Sequence, residues 1–335
     1  MMLKVAAKID DQCDAHILQN PGIYREHRGS AAIELAPADT AAWNGMSAQI
    51  AAVQKPGNRA TFGMFKFHDN LREINMYIIG ENINSSNGRI RSALEKGDWD
   101  SLMELVCTQE RAGVQAIDLN TGAMGIRETD LLLELAERTQ QVTDLPLVID
   151  SARAQTLEDA APKCRQKGLI LNSATMDDAS LLPLTELAAQ MGSRLVVLSL
   201  KNGSAVKAGD EMAEELKKLS ERLKALNLPR NRVWVDPVVL PLAYYPDDVG
   251  ELLARLEQIK AAGFSAICGL SNISFDMPRR RALNRALLPV LMGHGLDAVI
   301  LDPTDRVLMD MAKAADALLS EGDGVMDYLR YLRSL

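Results

Sequence analysis

From position 76 onward the chain alternates with one period. Short runs rich in β-branched and aliphatic residues fall at 77–79, 116–119, 147–149, 169–171, 195–198, 233–235, 266–270 and 298–301. Between them lie stretches of helical length. Residues 127–141 carry Leu131, Leu132, Leu135 and Ala136, with Val142 next, at helical spacing. Residues 209–226 carry Met212, Leu216, Leu219 and Leu223 with Glu and Lys between them. They predict a helix with one solvated face, whose charges are surface rather than site. Strands separated by helices pair in parallel, through crossovers of one hand. Eight such units close most simply into a (β/α)8 barrel. An open doubly wound sheet would also satisfy the alternation, but no G-x-G-x-x-G follows the first strand.

Composition sets the outer bounds. The apolar share of 47% supports a substantial core. The span from 76 to 335 matches the ~250 residues of a parallel barrel. A net charge of −8 without a basic cluster argues against nucleic acid and anionic membranes as partners. No apolar stretch approaches the ~18 residues of a membrane span. The start of the chain lacks a basic segment followed by an apolar one, so a cytoplasmic location is expected. Cys13, Cys107, Cys164 and Cys268 form no C-x-x-C pair, so no zinc or iron–sulfur signature exists, and no metal is expected. Cys107 and Cys268 lie in apolar periodic segments and are expected to be buried free thiols. The histidines are His16, His27, His68 and His294, and neither H-E-x-x-H nor G-x-S-x-G occurs, which disfavours metalloenzyme and hydrolase readings.

The chemistry gathers where strands end. Ile79-Gly80-Glu81-Asn82-Ile83-Asn84, Ile117-Asp118-Leu119-Asn120-Thr121-Gly122, Val148-Ile149-Asp150-Ser151, Trp234-Val235-Asp236-Pro237 and Gly269-Leu270-Ser271-Asn272-Ile273-Ser274 each pass from apolar to polar. A parallel barrel collects such ends at one face, where its enzymes keep their sites. The collected groups are carboxylates and amides, with little Lys or His. They suit a neutral heterocycle with several N–H donors better than a phosphate. Strand alternation sends Asp118 and Asn120 to one side, the barrel side if Leu119 faces the helices. Taken singly, each Asp or Asn also fits a turn or a helix cap.

In this order the motifs resemble the methyltetrahydrofolate:corrinoid protein methyltransferases, which are pterin-binding TIM barrels. The opening Met76-Tyr77-Ile78-Ile79-Gly80-Glu81-Asn82-Ile83-Asn84 is similar to that family's first residues. Asp118-Leu119-Asn120, Asp150-Ser151, Leu171-Asn172-Ser173, Asp236-Pro237 and Leu270-Ser271-Asn272 match its later strand ends. The resemblance covers about 76–335. It implies methyl transfer between N5 of methyltetrahydrofolate and the cobalt of a cobalamin carried by a separate corrinoid protein, and it implies a homodimer.

By the same resemblance Asp150, Asn172 and Asp236 hold the pterin. A carboxylate accepts two N–H bonds from an aminopyrimidinone edge, and an amide both accepts and donates. Asp118, Asn120 and Arg280 are further pterin-binding candidates. Glu81, Asn84 and Ser271 stand behind these contacts. Asn272 is the catalytic candidate, donating to N5 as the C–N bond breaks. The family often has a polar residue three after this Asn, where Phe275 stands here.

Residues 1–75 show no strand–helix repeat and contain the turn-forming Asn20-Pro21-Gly22 and Lys55-Pro56-Gly57-Asn58. They are an N-terminal extension, either packed on the barrel or dispensable. Asp14-Ala15-His16-Ile17-Leu18-Gln19 approaches the D-x-H-x-x-G motif of corrinoid proteins but lacks its glycine. The chain is therefore expected to bind no cobalamin of its own. Two rival functions remain: a dihydropteroate synthase-like transferase, and a non-catalytic pterin-binding subunit of a methyl-transfer complex. Against the first, strand one ends Glu81-Asn82-Ile83-Asn84 instead of in that enzyme's T-P-D-S-F pattern.

Overall fold

The computed structural model describes residues 76–164, 167–320 and 324–334. All eight expected strands form. They are β1 (Tyr77–Asn84), β2 (Ala116–Asn120), β3 (Leu147–Asp150), β4 (Ile170–Thr175), β5 (Arg194–Leu198), β8 (Val233–Asp236), β9 (Ser265–Gly269) and β10 (Ala298–Leu301), with a small hairpin of β6 (Leu200–Lys201) and β7 (Ser204–Ala205) between. Each barrel strand pairs in parallel with its neighbours in the chain, and β1 closes onto β10. Two helices, α1 (Gly88–Lys96) and α2 (Trp99–Arg111), follow β1. Then come α3 (Glu128–Val142), α4 (Ala154–Ala160), α5 (Asp178–Met191), α6 (Asp210–Ala225), α7 (Asp248–Ala261), α8 (Arg280–Gly293), α9 (Arg306–Leu319) and α10 (Gly324–Ser334).

The pleat sorts each strand into an inner and an outer set. Ile79, Ala116, Val148, Ile170, Val196, Trp234, Ile267 and Ala298, one from each barrel strand, form a separate inner cluster. Their neighbours Ile78, Ile117, Ile149, Leu171, Val197, Val235, Cys268 and Val299 belong to the core shared with the helices. The barrel is thus plugged, and side chains two residues past the plug emerge at its C-terminal mouth. The opposite end is closed by Tyr77 and Trp234, whose ring centres lie 5.1 Å apart. The Arg194 guanidinium covers both rings, at 5.7 and 5.0 Å.

Three sequence expectations change. Val142 ends α3 but is 38% exposed, outside the apolar face. Not every charge on α6 is solvated: Glu215 is 7% exposed and pairs with Lys201 of the hairpin at 2.6 Å. Cys107 is only half-buried, because α2 turns it toward the margin of the core, whereas Cys164 and Cys268 are buried free thiols. Cys13, His16 and the other positions of 1–75 lie outside the described residues. No described helix is long and apolar enough to cross a membrane.

Candidate functional site

A break in β1 shapes the mouth. Its pairing with β2 shifts register between Gly80 and Ile83. Gln109 of α2, fully buried, fills the gap and accepts from the Asn82 N–H at 3.0 Å. A Cβ on Gly80 would lie 2.3 Å from Gln109 Oε1, so only glycine admits this approach. Within the bulge, Glu81 lies near the carboxylates of Asp302 and Asp118. Asn82 donates to Asp302 at 2.9 Å. Asn84 pairs with Asn120 across the strands, and its side chain accepts from the Ser86 N–H at 2.9 Å, closing a turn.

The other strands deliver polar groups by alternation alone. Asp118 and Asn120 leave the inner face of β2, Asp150 that of β3, Asn172 that of β4 and Asp236 that of β8. Asn120 Nδ2 donates to Asp150 Oδ2 at 2.6 Å. The Asn172 side chain is hydrogen-bonded to Asp118. Asp118 is 2% exposed, and its Oδ1 has no partner among the described residues. A buried acceptor left open costs free energy that a ligand's N–H would recover.

Asp236 is held from behind. Its Oδ1 accepts from the Val238 N–H at 2.7 Å, and Val238 takes a left-handed φ of 64°. The loop is gripped by Arg255 of α7, which is 2% exposed. Arg255 donates to the carbonyls of Pro237 at 2.8 Å and Val238 at 3.2 Å. It also forms a two-point pair with Asp248 at 3.1 and 2.8 Å.

The β9 end turns into a single 3-10 helix, Leu270–Ser274, carrying Ser271 and Asn272. Ser271 Oγ donates to Glu81 Oε1. Arg280 donates to the Ser271 carbonyl at 3.0 Å and to Ser274 Oγ at 3.1 Å, so in the structure it braces this turn. A Cβ on Gly269 would lie 2.9 Å from Asn272 Nδ2, so the glycine leaves room for that amide. Phe275, closing the turn, is 38% exposed.

The electrostatics follow from burying acids together. Burial pushes Glu81 up to about 7, the nearby Asp302 adding to the rise while Ser271 and Arg280 oppose it. Burial likewise raises Asp236 to about 7, against the Val238 N–H and Arg255. Asp118 is driven well above the usual carboxylate range by burial, then by the charges of Asp150 and Glu81. Asp150 is raised by burial, with Asn120 offsetting it. Such groups match partners that donate N–H bonds and bring no second anion. Among the described residues no His, Cys, Asp or Glu group is arranged to hold a metal ion.

The structure therefore brings Glu81, Asp118, Asn120, Asp150, Asn172, Asp236, Ser271 and Asn272 to one mouth, with Asn84 and Arg280 in bracing contacts at its rim. Sequence reading missed Gln109, Arg255, Asn284 and Asp302. A surface groove of about 540 Å³, lined by Leu216, Lys217, Lys224 and Arg230 among others, lies against the outer helices on the side where β8 begins, away from the mouth.

The profile of the family described as "Pterin binding enzyme" matches residues 80–302, from the β1 bulge to the residue after β10. A methylcorrinoid:tetrahydrofolate methyltransferase of Eubacterium limosum is 30% identical over 249 residues, 73% of this chain and 91% of that one. A methionine synthase of Mycobacterium leprae is 22% identical over 262 residues, 71% of this chain but 21% of the other. Among solved structures, dihydropteroate synthase of Xanthomonas albilineans with 4-aminobenzoic acid superposes with a TM-score of 0.57 at 16% identity, covering 75% of this chain and 96% of that one. The Vibrio fischeri 7,8-dihydropteroate synthase gives 0.56 at 16% identity over 75% and 96%. At that identity the likeness shows the fold alone.

Proposed function

The chain belongs to the pterin-binding enzymes, within them to the methyltetrahydrofolate:corrinoid protein methyltransferases, and from that premise we propose that it moves a methyl group between N5 of methyltetrahydrofolate and the cobalt of a corrinoid protein. The observation that carries the reading is the mouth itself: buried acids, with an acceptor on Asp118 left open among the described residues. Asp150, Asn172 and Asp236 would hold the aminopyrimidinone edge, with Asn120 fixing Asp150 and Asp118 completing the acceptor set. Arg280 would act by holding the Asn272 turn.

N5 is a poor leaving group. Negative charge grows on it as its bond to the methyl carbon breaks, so a donor fixed beside it lowers the barrier more than it strengthens substrate binding. The Asn272 amide can be that donor without titrating. In the forward direction the bonding pair stays on N5, which takes up a proton from solvent; in the reverse direction N5 would attack the methyl carbon with its lone pair and release that proton, the Asn272 amide holding the nitrogen in place. The corrinoid, carried on a separate protein, supplies the methyl-accepting or methyl-donating cobalt. Loops at the mouth offer that protein a surface, with Ile126 97% and Tyr244 52% exposed. The proposed assembly also contains a homodimer in the cytoplasm, and light scattering of the purified chain checks the dimer.

Methyl transfer from methyltetrahydrofolate to free cob(I)alamin is the deciding assay. Turnover supports the proposal. Folate binding without turnover would favour a non-catalytic subunit. Condensation of a pterin pyrophosphate with 4-aminobenzoate would favour a dihydropteroate synthase.

A further inference from the structure

One 3-10 turn does not hold a side chain by itself, so the Asn272 amide depends on what clamps Leu270–Ser274. Arg280 and Asn284 clamp it from α8. Asn284, 9% exposed, donates from Nδ2 to Ser271 Oγ at 3.2 Å. The Leu242 N–H reaches Ile273 O from the loop after β8 at 3.0 Å. The remaining clamp crosses the barrel seam: Ser271 Oγ of the turn after β9 donates to Glu81 of β1. The Ser271 hydroxyl therefore receives from Asn284 and gives its one proton to Glu81.

We propose that Glu81 is a positioning residue for methyl transfer: through Ser271 it fixes the turn that aims the Asn272 amide at the reacting nitrogen. This rests on the function proposed above. The bond has a second property. Glu81 titrates near neutrality because burial outweighs its bond to Ser271. The groups facing it are Asp302 after β10, Asp118 on β2, Cys268 on β9 and Arg280 on α8. An ionised carboxylate accepts from a hydroxyl more strongly than a protonated one. The clamp thus tightens as Glu81 loses its proton.

The test compares Glu81→Ala, Glu81→Gln and Ser271→Ala in the full chain. Folate affinity is measured by titration, and kcat with saturating methyltetrahydrofolate and cob(I)alamin is followed from pH 5.5 to 8.5. Glu81→Ala and Ser271→Ala should lower kcat at least tenfold while the Kd for folate stays within threefold. Glu81→Gln keeps an oxygen for Ser271 but no charge, so its kcat should exceed that of Glu81→Ala and stay near the level the unaltered protein reaches when Glu81 is protonated. The unaltered protein should lose kcat as pH drops through about 7, and Glu81→Gln should flatten that dependence. A Kd that rises in step with the rate loss, a Gln variant no better than Ala, or a pH profile unmoved by Glu81→Gln each overturns the proposal. If the unaltered protein neither binds folate nor transfers methyl, the functional reading falls and takes this inference with it. Transfer by the unaltered protein, with variants behaving otherwise than described, removes the inference alone.

Discussion

Asn120 Nδ2 donates to Asp150 Oδ2 at 2.6 Å and ties the ends of β2 and β3 across the barrel mouth. The bond uses one carboxylate oxygen of an acid that burial raises. Asn120 thus orients Asp150 at the mouth. Replacing Asp150 by alanine leaves ligand N–H donors unpaired in a buried place, at about 1–3 kcal/mol each. Asp150→Ala should weaken methyltetrahydrofolate binding by roughly 5- to 150-fold. Calorimetric titration checks this. Unchanged affinity in Asp150→Ala and Asp236→Ala alike would put the pterin elsewhere.

Stability should vary with pH in the less usual direction. Glu81 and Asp236 have folded-state values raised to about 7 by burial, above their unfolded values. The unfolded chain therefore binds fewer protons between about pH 4 and 7. Their contribution is fully present below the unfolded values and is lost as pH rises through about 7. Over that window each acid could contribute up to roughly 3 kcal/mol. Urea unfolding at pH 5.5 and 8 should show the ligand-free protein more stable at the lower pH. Asp236→Asn should shrink the difference, and a slope of the opposite sign in that variant and its parent would show these acids hydrated in solution.

The barrel was legible because periodicity reports burial, and here each barrel strand and its helix repeat one unit. Alternation around Val148 or Trp234 placed Asp150 and Asp236 without any further knowledge. What escaped were polar residues at core-facing helical positions. Gln109 shares a face with Leu102 and Val106, and Arg255 with Leu252, Leu256 and Ile259. Asn284 lies with Leu287, Leu288 and Leu291. Each interrupts an apolar stripe and supports a loop of the mouth, so the signal existed as a misplaced polar group. Its partner, in contrast, lies on another element and depends on tertiary contact. Asp302 was hidden differently: it follows the last strand but belongs to no motif that marks it. The β1 bulge is likewise invisible, since only the packed Gln109 shows why Gly80 must be glycine.

Arg255 should matter more for stability than its distance from the mouth suggests. Removing it leaves the Asp248 carboxylate and the carbonyls of Pro237 and Val238 without their donor in a buried setting. Breaking one side of a buried pair costs about 3–5 kcal/mol. Arg255→Leu should lose stability on that scale, and Arg255→Lys should recover little, since an ammonium cannot span the same fork. Denaturant titration of both variants is the check, and a loss under about 1 kcal/mol would mean water replaces the guanidinium.

A chain beginning at Met76 should fold and transfer methyl. Met76 is 1% exposed, and its N–H lies 3.3 and 3.4 Å from the two oxygens of Asp316 on α9. Starting there replaces an amide donor by an ammonium facing a carboxylate, which keeps the contact. Every proposed site residue lies beyond that point. Loss of soluble protein or of turnover on truncation would show that residues 1–75 complete the barrel or the site.

Asn272 separates catalysis from binding. Its amide is half-buried at the mouth beside Gly269, and no side-chain hydrogen bond holds it among the described residues. An amide fixed by its turn and free at its end can donate to a group that arrives with the ligand. If that group is N5, the bond strengthens as the nitrogen gains charge, and its worth appears in the transition state. Asn272→Ala should lower methyl transfer at saturation by roughly 10²-fold or more, the scale of one lost electrostatic donor. Folate affinity should change far less, the reverse of Asp150→Ala, where affinity suffers first. Single-turnover rates and titrated Kd values, measured on both variants, read the two effects separately. Normal transfer by a saturated Asn272→Ala enzyme would assign the bond at N5 to another donor, leaving Asn272 as a turn residue alone.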